Sequence, residues 1–314
     1  SLASVPAWGA GGRRFKSSRP DQEIGGKTSV FPLFIFGGLT VEREETFFRA
    51  NTDIGQNFLV DRSVLDRIVE AAEISSEDIL FEIGSGNGIL TKRLLSLDPK
   101  LLFSVEMDKR LARFLARLEE NSKLVLIWGD VLKIPLVERL DPIPTKLVAN
   151  LPYHITTPVL WKILEELVPA GLRKMVIMVQ KEAAERIASA KPGKTRSPLG
   201  ITLERMGEVS WLFDVPPEAF RPSPKVNSSV LSITLRRDLE LAGNSFWRGL
   251  LRGGFSQRRK TLLNNLKGWL ASRGLDAASV ISEIGLKPQV RAEELTLEDW
   301  ISLEETVKKK MGGL

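Results

Sequence analysis

The chain has 314 residues, 43% of them hydrophobic, enough to bury a sizeable core as one large or two modest domains. It has no cysteine, which excludes disulfides, thiolate metal sites and cysteine nucleophiles, and its single histidine, His154, leaves no zinc cluster and little room for a Ser-His-Asp triad. Without thiols and with one imidazole, the chemistry must run on oxygen and amide groups or on a cofactor; the balance of 45 Lys and Arg against 39 Asp and Glu is mildly basic.

Residues 1–50 are rich in Gly, Pro and Ser and hold no sustained helical or strand period, which predicts a mostly disordered extension. Arg13, Arg14, Lys16 and Arg19 stand in the first 20 residues with four serines and no acid. Organellar transit peptides have that composition, and so do disordered tails and misplaced starts. The apolar run Val30 to Leu39 is interrupted by Pro32 and two glycines and is too short to span a bilayer, so no membrane partner is expected.

The folded body is expected to begin near Thr52. Asp61 or Ser63 can cap a helix whose Val64, Leu65, Ile68 and Val69 form one apolar stripe. Short apolar runs follow at Ile79 to Ile83, Leu101 to Val105, Leu124 to Ile127, Lys146 to Ala149 and Met175 to Val179. Helix-like segments such as Leu111 to Leu118 and Pro158 to Leu167 separate them. This alternation predicts an α/β fold with a parallel sheet covered on both faces. Ser229 to Leu235 reads as an added antiparallel edge strand, and from about residue 239 the pattern is helical only. The division expected is thus an extension over 1–50, an α/β domain over 51–238 and a small helical domain over 239–314. Within the last, Leu241 to Leu275 carries seven basic residues and no acid. That suits a polyanion such as nucleic acid, or simply a solvated helical face.

Glu82-Ile-Gly84-Ser-Gly86-Asn-Gly88 falls where the first strand of the sheet should end. Glycine permits positive φ there and lets the backbone approach a ligand closely. The spacing is G-x-G-x-G, not the dinucleotide G-x-G-x-x-G, so it points away from a pyrophosphate. The second strand ends in Glu106, placed to accept hydrogen bonds from ribose hydroxyls, and Asp130 after the third can accept from an adenine amino group. Either acid alone can equally cap the turn that follows it. Taken together with the glycines, they point to S-adenosylmethionine as cofactor and to a Rossmann-like, class I methyltransferase sheet.

The fourth strand runs into Asn150-Leu151-Pro152-Tyr153. A conjugated amine such as adenine N6 is a poor nucleophile because its lone pair is delocalised into the ring. The amide oxygen of Asn150 and the carbonyl of Leu151 can accept its two N–H bonds and free that lone pair. Pro152 fixes φ and biases Leu151 toward an extended conformation, and Tyr153, the one tyrosine of the chain, can stack on a flipped base. In-line attack on a sulfonium methyl then needs positioning and electrostatics, without a covalent enzyme intermediate. The plainer alternative is an ordinary strand-to-helix turn with Tyr153 in the core.

On these residues the chain resembles the KsgA family of small-subunit ribosomal RNA adenine dimethyltransferases, over roughly residues 52 to 270. Gly55 to Leu59 is similar to the family's opening motif, Glu82 to Gly88 to its cofactor loop and Asn150 to Tyr153 to its catalytic loop. Val215 to Val226, which reads VPPEAFRPSPKV, is similar to its segment beside the target base, and Phe255 to Leu262, FSQRRKTL, to its helical-domain signature. The resemblance implies that Gln56, Asn57, Leu59, Gly84, Gly86, Gly88, Glu106, Asp130 and Asn150 hold S-adenosylmethionine. It also implies that Tyr153 and Phe220 sandwich the adenine; the plainer alternative for Phe220 is a core aromatic. The expected substrate is two adjacent adenines in the 3′-terminal hairpin of small-subunit rRNA, within the pre-ribosomal 30S particle. Arg221, Lys225, Arg248, Arg252, Arg258, Arg259 and Lys260 are the expected phosphate contacts. A monomer is expected, in the cytoplasm, or in an organelle if residues 1–50 are a transit peptide, with no metal.

Two departures from the family stand out. His154 occupies the place of an asparagine, and either residue can cap the helix beginning there. The stretch before Thr52 is longer than in bacterial members. The rivals are a macrolide-resistance (Erm-like) enzyme acting on large-subunit rRNA, which usually carries Asn-Ile-Pro-Tyr and lacks Gln-Arg-Arg-Lys, and a non-catalytic nucleic-acid-binding assembly or transcription factor of the same fold.

Overall fold

The computed structural model describes residues 56–312, so the expectations for residues 1–50 lie outside the described residues. After a two-residue strand, β1 (Phe58–Leu59), the chain turns at Asp61. Its carboxylate accepts the backbone N–H of Ser63 and Val64, two donors a helix start leaves orphaned, so of the two caps the sequence allows the fold uses Asp61. The helix α1 (Arg62–Ala71) then buries Val64, Leu65, Ile68 and Val69.

Strands and helices next alternate as β2 (Ile79–Ile83), α2 (Ile89–Leu95), β3 (Leu101–Glu106), α3 (Ala112–Glu119) and β4 (Leu124–Trp128). A single turn, α4 (Leu136–Arg139), leads to β5 (Lys146–Asn150), α5 (Thr156–Ala170) and β6 (Lys174–Gln180). These five longer strands pair in parallel in the order β4-β3-β2-β5-β6. Their side chains alternate between two hydrophobic clusters: Ile79, Phe81 and Ile83 enter one, and Leu80 the other. From β2 the chain proceeds outward through β3 to β4, then returns to β5 on the other flank of β2. The carboxyl ends of β2 and β5 therefore flank the point where the strand order reverses, which is where an open α/β sheet leaves a crevice.

Beyond β6 come α6 (Lys181–Ile187), α7 (Pro198–Met206), β7 (Gly207–Val215), β8 (Phe220–Arg221) and β9 (Ser228–Leu235). The run expected as an edge strand is antiparallel but interior, because β7 lies outside it and completes a seven-stranded sheet. The difference has a local cause. On β7, Trp211 and Leu212 are exposed and the register shifts between Trp211 and Phe213, so its sequence lacks clean two-residue alternation. Meanwhile β8 pairs with β1, setting Phe220 opposite Leu59.

The last helices are α8 (Ser245–Gly254), α9 (Leu262–Ala271), α10 (Ala277–Glu283) and α11 (Leu297–Gly312). Their apolar faces join the cluster on one side of the sheet, where Trp247 and Trp300 are fully buried. Polar ties accompany this packing. Trp247 Nε1 donates to Thr202 Oγ1 at 3.0 Å, and Arg205 bonds both Asp238 and the buried Glu304.

Candidate active site

Gly84, Gly86 and Gly88 carry φ of +80°, +56° and +79°, so the turn after β2 is left-handed at all three. At Gly88 space is limiting too: a Cβ would lie 2.7 Å from Leu118 Cδ1. The turn is tied to its neighbour strand by Gly84 N–H donating to Val105 O at 2.8 Å. A second tie comes from Glu106, whose Oε2 accepts Gly86 N–H at 2.9 Å while Oε1 accepts Asp108 N–H at 2.8 Å. Glu106 thus performs the local capping that its position allows and still lines the cavity; burial raises its carboxyl pKa against those backbone bonds. Asp130 behaves alike, accepting Leu132 N–H at 3.0 Å while facing the same cavity.

Under the turn lies Glu82, fully buried, accepting from Thr91 Oγ1 at 2.7 Å and Ser104 Oγ at 2.6 Å. Its Oε1 has no hydrogen-bond partner among the described residues, and burial pushes its pKa up to about 7.

Asn150 ends β5, and Gly84 lies close enough that a Cβ there would sit 3.9 Å from the Asn150 carbonyl oxygen. Its Nδ2 donates to Asn57 O at 3.4 Å, so the amide oxygen is the end left to accept from a substrate. Leu151 is pinned by its N–H to Met178 O at 3.0 Å, with its side chain in the core. Residues Tyr153–Ile155 form a 3₁₀ turn, and the Tyr153 hydroxyl bonds Ser228 Oγ at 2.8 Å; burial raises the phenol pKa. His154 is exposed and does not cap, contrary to expectation. The residue preceding the turn is Pro152, and the start of α5 is tied instead by Thr156 Oγ1 donating to Pro152 O at 3.2 Å.

One cavity of about 220 Å³ is lined by Gln56, Asn57, Leu59, Gly84, Gly86, Glu106, Asp130 and Asn150 to His154 among others; Gly88, expected to hold the cofactor, is turned toward Leu115 and Leu118 and does not line it, nor does Glu82. Its lining holds two carboxylates and neither Lys nor Arg, which suits a cationic nucleoside ligand and opposes a di- or triphosphate. Gln56 is engaged there by Asp108, its Nε2 donating to Oδ2 at 2.7 Å. Asp108 went unread in the sequence, as did Met107 and Ser228; an acid two residues after a strand-end acid was the available signal for the first. Arg110 and Gln56 together hold the Asp108 carboxyl down at about 2.

The expected aromatic sandwich is not assembled. Phe220 is 0% exposed, packed in a cluster with Leu59, Val215 and Val230, and does not line the cavity, so in this conformation it is the core aromatic that was the plainer alternative. The expected phosphate contacts divide. All seven are exposed, but Arg221 donates to Glu218 O and Phe220 O, Arg248 pairs with Glu165, and Arg258 bonds Lys194 O and Glu293. Among the described residues no group of three or more His, Asp or Glu comes together to hold a metal, and no helix is long and apolar enough to cross a membrane.

A parallel sheet with a glycine turn after its first strand and an acid ending the next defines a class I S-adenosylmethionine-dependent methyltransferase fold. Solved structures share it: a dimethyladenosine transferase from Plasmodium falciparum is 27% identical with a TM-score of 0.70, covering 81% of this chain and 98% of that one. The 23S rRNA methyltransferase ErmE is 22% identical with a TM-score of 0.61, covering 80% and 100%. The ribosomal RNA adenine dimethylase family model matches residues 47–309, and the chain belongs to that family. Among its relatives, the ribosomal RNA small subunit methyltransferase A of Rippkaea orientalis is 37% identical over 266 residues, 80% of this chain and 96% of the relative. The protein of the same name from Bacillus mycoides is 38% identical over 272 residues, 83% and 92%.

Proposed function

We propose that the chain dimethylates N6 of two adjacent adenines in the 3′-terminal hairpin of small-subunit rRNA, using S-adenosylmethionine, on the pre-ribosomal 30S particle during small-subunit biogenesis. The observation that carries this is the meeting of Asn150 to Tyr153 with the turn from Gly84 to Asn87 and Glu106 on one cavity that has carboxylates and neither Lys nor Arg. Relatives named for small-subunit methylation support the choice of subunit.

When bound, the cofactor supplies an electrophilic sulfonium methyl group. Glu106 and Asp130 retain lone pairs to accept its ribose hydroxyls and adenine amine, and the αL glycines bring backbone close to it. Asn150 Oδ1 and the Leu151 carbonyl accept the two N–H bonds of the target amine, restoring nucleophilicity to its nitrogen, while Tyr153 stacks on the base. Residues 239–314 act as the RNA- and ribosome-binding domain, with Arg252, Arg259 and Lys260, together with Arg221 and Lys225, exposed for phosphate.

The test is transfer of labelled methyl to small subunits lacking the modification, followed by nucleoside analysis. Dimethyladenosine at two neighbouring positions is expected. Transfer only to large-subunit RNA would replace this reading with an Erm-like one, and tight binding without transfer would make the chain a non-catalytic factor.

A further inference from the structure

The catalytic loop is tethered to the sheet by a residue outside it. Tyr153 sits in a short 3₁₀ turn whose start carries no side-chain cap. What the ring does have is its hydroxyl, 2.8 Å from Ser228 Oγ. Ser228 is 0% exposed and begins β9, where it pairs with Gln180 of β6 on one side and Val215 of β7 on the other. Just ahead of it, Lys181 N–H donates to Asn227 O at 3.0 Å. The serine oxygen is therefore held by an interior strand, and the tyrosine side chain is clamped at both ends, at its Cα by the loop and at its oxygen by the sheet.

We propose that Ser228 is a positioning residue for methyl transfer, holding the long axis of the Tyr153 side chain so that its ring stays where the target adenine stacks; this rests on the methyltransferase reading above. A stacking platform that swings about its Cα lets the base move relative to Asn150 Oδ1, and small misplacements of a reacting atom are costly in rate. Particle binding is carried by phosphate contacts elsewhere on the chain, so the loss falls on turnover and leaves capture of the particle unchanged. The phenol stays protonated because burial raises its pKa, so the bond persists across the working range of pH.

The test uses the full chain with small subunits lacking the modification, comparing Ser228→Ala, Tyr153→Phe and the double variant. Each single variant removes the same hydrogen bond from a different end, and Tyr153→Phe keeps the stacking ring. Expected is a fall in kcat of about tenfold, equivalent to about 1.4 kcal/mol, for either single variant. KM for the particle and calorimetric affinity for S-adenosylmethionine should stay unchanged. The double variant should be no slower than the slower single one, since both act through one bond. Wild-type kcat in the single variants, losses that multiply in the double, or a rise in KM with kcat intact would each overturn the proposal. Should Ser228→Ala fail to fold, Tyr153→Phe alone decides, because wild-type turnover there removes any need for the serine. Absence of adenine methylation by the unaltered protein would instead overturn the underlying functional reading.

Discussion

Replacing Glu106 by Gln changes one atom and should disturb the glycine turn and the ligand together. The carboxylate accepts two backbone N–H groups, from Gly86 at 2.9 Å and Asp108 at 2.8 Å, one on each oxygen. A glutamine has one oxygen to offer and must set its NH₂ against the other N–H, donor against donor. A hydrogen bond to a charged group is worth about 1.5–3 kcal/mol, so losing one costs about that much, offset in part because the buried charge is removed as well. The same side chain would accept the cofactor ribose, so S-adenosylmethionine affinity should fall roughly ten- to a hundredfold, about 1.4–2.8 kcal/mol. Urea unfolding reads the first effect and isothermal titration calorimetry the second. A variant with the wild-type urea midpoint and wild-type affinity would refute the argument, for the carboxylate would then neither brace the turn nor hold the ligand.

Asn150→Ala should abolish methyl transfer while leaving affinity for the small subunit nearly intact; equal loss of both in filter-binding and transfer assays would mean the residue is misassigned. Charge reversal at the exposed Arg259 and Lys260 should weaken particle binding, flatten its dependence on salt and spare cofactor affinity, and an unchanged salt slope would remove that patch from the interface. For Gly254→Ala, the new Cβ would lie 2.5 Å from Cη2 of Trp300, which is 0% exposed and has nowhere to move, so a loss of about 1–3 kcal/mol is expected by urea denaturation; no loss would show that the contact can relax. Glu82, raised from 4.5 to about 7, keeps in the fold a proton that the unfolded chain releases. Its contribution to stability is therefore full below pH 4.5, falls as pH rises to about 7 and is flat above, so Glu82→Gln should lose less stability than wild type as pH rises from 4.5 to about 7. Parallel slopes for the two proteins would contradict that.

The parallel part of the sheet was legible because buried strands and amphipathic helices have different periods, and β2 to β6 keep theirs intact. The cofactor loop was legible for a related reason. Backbone chemistry at Gly84, Gly86 and Gly88 depends on the absence of Cβ, and an acid ending a strand is local information. β7 was not readable, since its bulge and its exposed Trp211 and Leu212 break the alternation that marks a strand.

What only the tertiary structure decided are the pairings between distant residues. Whether Glu106 caps a turn or faces a ligand is a choice its sequence leaves open, and the fold answers that it does both. The burial of Phe220 depends on β1 laying Leu59 against it across more than a hundred residues of chain, and the partner of the Tyr153 hydroxyl depends on where β9 enters the sheet. Spacing and residue type report contacts within a turn or a strand. A side chain's burial and its hydrogen-bond partner are set by whichever segment packs against it, and no local pattern carries that.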